Sequence, residues 1–163
     1  MIRPLTLASL AAAFALGAIL SSTLGQTQAA PTAVRDALAE TSHVQGAPQR
    51  TLVLSRVTVG PGAKLALHHH LGSQVAHIES GVLTYTVRRG SVVIRTGQSD
   101  LSPKKVRTIS AGQTGQIRAG QWIVEQPSDI HQAANDGSAP VVIYLATLLK
   151  TGAPPATPVS LGE

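Results

Sequence analysis

Three consecutive histidines, His68, His69 and His70, close the segment that begins at Gly62, and Gln74 and Gly81 follow. In a β-strand alternate side chains share a face, so His68 and His70 project one way and His69 the other. Two imidazoles side by side on a strand make half of a metal site. Another, His131, lies downstream in Pro127-Ser128-Asp129-Ile130-His131-Gln132-Ala133-Ala134-Asn135. The chain has no cysteine, so thiolate ligands and disulfides are excluded and imidazole, carboxylate and amide donors remain. Neutral imidazole suits Fe, Zn, Cu, Ni and, more weakly, Mn, so these residues could serve a metal of that group.

Such ligands need a rigid frame, and the chain reads as short strands. Thr51 to Val59 is rich in β-branched residues and ends in the turn signal Gly60-Pro61-Gly62. Further strands are expected at Lys64 to His70, Gln74 to Glu79, Val82 to Val87, Ser91 to Arg95, Thr114 to Arg118, Gln121 to Glu125, Ile130 to Asn135 and Pro140 to Leu149. Glycines punctuate them, and no long amphipathic helix appears. This pattern argues an all-β sandwich or barrel. Residues 96 to 113 are polar and read as a surface insertion between two halves of the barrel. Val34 to Glu40 reads as a short helix or a flexible lead-in.

The ends of the chain carry other signals. Arg3, the apolar run Leu5 to Leu24 and the small residues near Ala29-Ala30-Pro31 form a secretory signal pattern over residues 1–30. The mature protein is then expected to be periplasmic or secreted, without stable membrane insertion. Residues 31–50 form the lead-in, 51–149 the domain, and 150–163 a tail whose Pro154, Pro155 and Pro158 favour an extended chain. Thirteen Lys and Arg against eight Asp and Glu give a net charge of +5. Beyond the leader the only aromatic residues are Tyr85, Trp122 and Tyr144, too few for base-stacking platforms, so the excess charge reads as a solvated face and no nucleic acid is expected.

The spacing of Gly62, His68, His70, Gln74 and Gly81 resembles the first motif of the cupin superfamily, which usually has Glu where this chain has Gln74. Gly120, Pro127, His131 and Asn135 resemble the second motif, with Pro127 one residue late and Asp129 in place of a glycine. The resemblance covers roughly Thr51 to Leu149. It implies a cupin-type β-barrel (a double-stranded β-helix, or jelly roll) holding one divalent metal on His68, His70 and His131. Gln74 stands at the family's carboxylate position. An amide there would leave the ion's double charge intact and supply no base, which would weaken metal affinity and favour an anionic ligand.

The other polar residues have plainer readings. His69 faces away, His77 and Glu79 have the opposite strand parity from Gln74, and His43 precedes the domain. Asn135 fixes a turn, and Tyr85, Trp122 and Tyr144 pack in the core. The functional expectation is an exported metal-binding cupin, a dioxygenase on a small organic substrate by family analogy. The alternative is a cupin that captures a small ligand or anion without turnover. A homodimer is expected, because an open sheet edge tends to be covered.

Overall fold

The computed structural model describes residues 32–98 and 101–160. The leader over residues 1–30 lies outside the described residues. Among the described residues no helix is long and apolar enough to cross a membrane.

The described chain is all β. The strands are β1 (Ala33–Thr41), β2 (Arg50–Val59), β3 (Lys64–His69), β4 (Gly72–Ser80), β5 (Val82–Arg89), β6 (Ser91–Thr96), β7 (Lys104–Ser110), β8 (Thr114–Arg118), β9 (Gln121–Glu125), β10 (Ile130–Ala134), β11 (Val141–Lys150) and β12 (Thr157–Pro158). One sheet has the order β1-β2-β11-β4-β9-β6-β7 and the other β12-β3-β10-β5-β8, with antiparallel pairing throughout. Apolar side chains alternate along the strands, as in Val57 and Val59 of β2, Leu83, Tyr85 and Val87 of β5, and Val141, Ile143 and Leu145 of β11. They meet between the sheets in one core with Ile78, Ile94, Ile109, Ile117 and Ile123. Burying each such side chain stabilises the fold by roughly 1.5–3 kcal/mol.

Two segments differ from the sequence reading. Val34 to Glu40 is not a helix: it lies in β1, which pairs along β2 from Ala33↔Val59 to Thr41↔Leu52. Its Ala, Leu and Glu content favours a helix, but that preference is weak beside an open sheet edge whose N–H and C=O groups need partners. Residues 96 to 113 are not simply an insertion. Within them β7 pairs with β6, and Ile109 is fully buried.

Two connections set the position of the histidines. Asn135, itself buried, donates from Nδ2 to the carbonyls of Val59 (2.8 Å) and Ala139 (2.9 Å) and accepts from the Gly137 N–H (3.0 Å). Its backbone also bonds Gly62 and Ala63, tying the end of β10 to the start of β3, as its turn-fixing reading implies. Between β3 and β4 the chain must pass close to β11. Gly72 lies opposite Leu149, and a Cβ there would overlap the Leu148 carbonyl and sit 2.8 Å from the Leu149 Cα. Backbone cannot yield as a flexible side chain does, so Gly72→Ala should cost about 3 kcal/mol or more in a urea titration.

Candidate metal centre

The site draws on both sheets. His68 of β3 and His131 of β10 are cross-strand partners in the five-stranded sheet. Gln74 of β4 and Glu125 of β9 are cross-strand partners in the seven-stranded sheet. His70 lies in the short connection from β3 to β4, which carries the chain from one sheet to the other. The three imidazoles face one another, with ring centroids 4.4 Å apart for His68 and His131, 4.8 Å for His68 and His70, and 5.1 Å for His70 and His131. One nitrogen from each ring falls within 4.8 Å of the others, so the three can hold one metal ion. His69 takes no part in this group; it pairs with Thr157 of β12. His77 and Glu79 lie 3.9 Å apart and both side chains are well exposed.

Backbone carbonyls orient two of the rings. His68 Nδ1 lies 2.7 Å from the Ala66 carbonyl and His70 Nδ1 lies 2.7 Å from the Pro155 carbonyl. A carbonyl only accepts, so each Nδ1 carries the hydrogen and each Nε2 presents a lone pair. That is the tautomer a metal-binding imidazole needs, fixed by the kind of outer hydrogen bond that metal-ligating histidines usually make. The proline-rich tail is therefore a working part of the site. It runs extended, pairs as β12 with β3, and holds His70 through Pro155.

Gln74 joins the histidines, but its nitrogen faces the site. Its Nε2 lies 2.7 Å from His70 Nε2 and also donates to Glu125 Oε2. Turning the amide would set its oxygen against a carboxylate, so the neighbours decide the orientation. The Gln74 oxygen is buried with no partner, as is Nδ1 of His131.

Glu125 is the residue missed by the sequence reading, which expected a site without a carboxylate. It is buried, and Tyr85 donates to its Oε1 at 2.6 Å. Its Oε1 lies 3.3 Å from His131 Nε2 and its Oε2 lies 3.6 Å from His70 Nε2. The carboxylate stands one rung across the ladder from Gln74. Tyr85 is in the core as expected, yet it also belongs to the site: its ring stacks on His131 with centroids 5.0 Å apart. The hint available beforehand was parity, since Glu125 shares a strand face with Ile123.

Burial is the largest single influence on Glu125, Tyr85, His70 and His131. It would raise the Glu125 pKa, but the His131 and His70 charges and the hydrogen bonds from Tyr85 and Gln74 outweigh it and hold the carboxyl below its ordinary value. Burial, reinforced by Glu125, raises the Tyr85 phenol well above its usual range, so it stays a donor. Burial also lowers His70, and it lowers His131 to about 4, in both cases against the attraction of Glu125. The imidazoles are therefore neutral at pH 7, as ligation requires. In the unfolded chain they protonate near 6.5. Unfolding thus takes up protons below that pH, and acid favours the unfolded state. His131 alone should remove about 3 kcal/mol of stability between pH 6.5 and 4. Urea titrations of metal-free protein should show that fall, and His131→Gln should flatten it.

The donor set fits a metal ion. Two ligand atoms bound to one ion at about 2.1 Å lie about 3.0–3.4 Å apart. His70 Nε2 and His131 Nε2 are 3.3 Å apart, as are His131 Nε2 and Glu125 Oε1. Gln74 would have to release His70, whose lone pair it now occupies.

The site forms the polar end of a cavity of about 310 Å3. Ala76, Ile78, Leu83, Ile117, Ile123 and Ile143 supply much of its apolar wall.

No protein-family model matches the sequence, and no curated protein matches it. Solved structures do. A cupin 2 domain-containing protein from Halorhodospira halophila is similar with a TM-score of 0.51 at 14% identity, over 79% of this chain and 71% of that one. A cupin-like protein from Thermotoga maritima is similar with a TM-score of 0.50 at 15% identity, over 78% of this chain and 76% of that one. With its two antiparallel sheets and these likenesses, the chain has the cupin fold, and its three-histidine group lies between the sheets.

Proposed function

We propose that this protein is an exported cupin that binds one divalent metal ion through His68, His70 and His131, with Glu125 as the carboxylate, and oxidises a small organic substrate with dioxygen. One observation carries the reading: three imidazoles and a buried carboxylate converge at the polar end of an otherwise apolar cavity. A bound ion of this group would supply Lewis-acid polarisation of a substrate oxygen and, where redox-active, a centre for oxygen chemistry. The chain's own residues do the rest. The aliphatic wall excludes water and holds the substrate body. Glu125 is placed to receive a proton from a substrate hydroxyl or carbon acid, while Tyr85 and Gln74 hold its oxygens in position. Pro155 and Ala66 keep two imidazoles aimed inward.

The test is metal-dependent oxygen uptake across a panel of small substrates, with Fe2+, Mn2+, Zn2+, Ni2+ and Cu2+ supplied in turn. Uptake that needs metal and is lost in His131→Ala supports the reading; activity that survives without metal refutes it. A second reading, ligand capture without turnover, draws on the hydrogen bonds to Glu125. Both its oxygens already accept bonds, which weakens it as a base. Ligand-induced thermal stabilisation with no product would decide for capture. Export and pairing of two copies through a sheet edge belong to the same proposal. The mature N-terminus and the sedimentation coefficient test them.

A further inference from the structure

A half-buried arginine lines the histidine cavity and, among the described residues, makes no ion pair. Arg35 of β1 stands opposite Val57, a buried residue of β2, and its Nε donates to the hydroxyl of Ser55 at 3.2 Å. Ser55 is fully buried, so the side chain points inward. The next residue behaves as a surface residue does: Asp36 faces out and pairs with Arg56 at 2.9 Å. Among the described residues Arg35 has no carboxylate within ion-pair distance, and its terminal nitrogens have no protein partner. Glu125 is its nearest electrostatic counterpart, and burial lowers the Arg35 pKa against that attraction. A half-buried guanidinium without a bonded anion is costly, and the unpaired edge of its planar fork suits a carboxylate.

Its place is equally informative. Arg35 and Pro155 line both the histidine cavity and a second, more polar cavity of about 350 Å3, which also borders Thr51, Ser55, Thr147 and Lys150. They form the wall between the two. In the histidine cavity the fixed charges are Glu125 and Arg35, which cancel, so a divalent ion would leave an uncompensated double positive charge. A small anion with a hydrocarbon body answers both the charge and the apolar wall.

We propose that the ligand of this cavity is a small aliphatic carboxylate, its carboxylate held by the Arg35 guanidinium and its hydrocarbon body lying against Ile78, Leu83, Ile117 and Ile123. The assignment rests on the reading above that the histidine cavity is the ligand site, and it makes Arg35 the residue that selects for charge. Arg35 acts without the metal, so the two readings can fail separately.

The experiment is calorimetric titration of the full mature chain with hexanoate and with its neutral counterpart hexanamide, metal-free and with Mn2+ added. Wild type should prefer hexanoate by about 10-fold or more. Arg35→Gln should abolish that preference in the metal-free protein and reduce it with Mn2+ added, while hexanamide affinity changes less than hexanoate affinity in both states. Arg35→Lys should restore part of it, and Arg56→Gln, on the outer face, should have no effect. Thermal melting of each variant confirms folding. Manganese affinity, followed separately by competition with a chromophoric chelator, should be nearly unchanged in Arg35→Gln. Equal affinity for hexanoate and hexanamide in wild type, absence of hexanoate binding in both states, or hexanoate affinity unaffected by Arg35→Gln would each overturn the proposal. Wild type that refuses manganese yet keeps an Arg35-dependent preference would sink the metal reading and leave this one standing.

Discussion

Replacing Glu125 by glutamine should lower divalent-metal affinity on the order of 100-fold, with the fold retained. Among the described residues Glu125 is the one carboxylate close to the nitrogens of the three-histidine group, at 3.3 Å from His131 and 3.6 Å from His70. Without it the ion would sit among neutral donors only. The shape of the site changes little, because glutamine keeps the volume and can still meet Tyr85. The double variant Gln74→Glu with Glu125→Gln provides the internal control. It moves the carboxylate across one rung of the β4–β9 ladder, where Gln74 and Glu125 are direct partners. Metal affinity in the double variant should recover to within about 10-fold of wild type. Competition with a chromophoric chelator measures both. An unchanged affinity in Glu125→Gln would remove the carboxylate from the account.

Gln74→Glu alone should destabilise the metal-free protein by about 3 kcal/mol at pH 7. The Gln74 amide now donates to Glu125 Oε2 and to His70 Nε2. A glutamate in its place sets two buried carboxylates against each other and withdraws a donor from both neighbours. One of the pair must have its pKa raised above the unfolded value. The penalty is then full above that raised pKa and vanishes below the ordinary carboxylate value, where both states are protonated. The variant's stability curve should therefore converge on wild type as the pH falls towards about 4. Added Mn2+ should also rescue it, because a cation between the carboxylates removes the repulsion. Urea titrations across this pH range, with and without metal, follow the effect.

The pairing of Gln74 with Glu125 also marks where sequence reasoning stops. Strand parity put His68 and His70 on one face and His69 on the other; the structure brings His68 and His70 together without His69, although His70 lies past the end of β3. Parity also sets Glu125 on the face of buried Ile123, a signal the sequence reading did not use. What parity lacks is the neighbour: β9 lies beside β4 only because the chain crosses between sheets several times, so the contact depends on non-consecutive pairing. Glu79 lies only five residues from Gln74 in sequence, yet its side chain is largely exposed. Tyr85 was legible as a core residue, since Leu83 and Val87 share its face. Its role as donor to Glu125 was not, because the partner lies on the opposite sheet. The two chain ends show the same limit. The helix-favouring residues of β1 follow the free edge of β2, and the prolines near the C-terminus run extended as read, but their docking on His70 comes from tertiary packing.

On the proposed reading His68, His70 and His131, with Glu125, hold one metal ion. Metal content by mass spectrometry, after refilling and desalting of the mature protein, tests it directly when wild type is compared with His68→Ala. Wild type should hold about one divalent ion per chain and the variant almost none. Wild type that retains no metal, or a His68→Ala protein that retains as much as wild type, would contradict it.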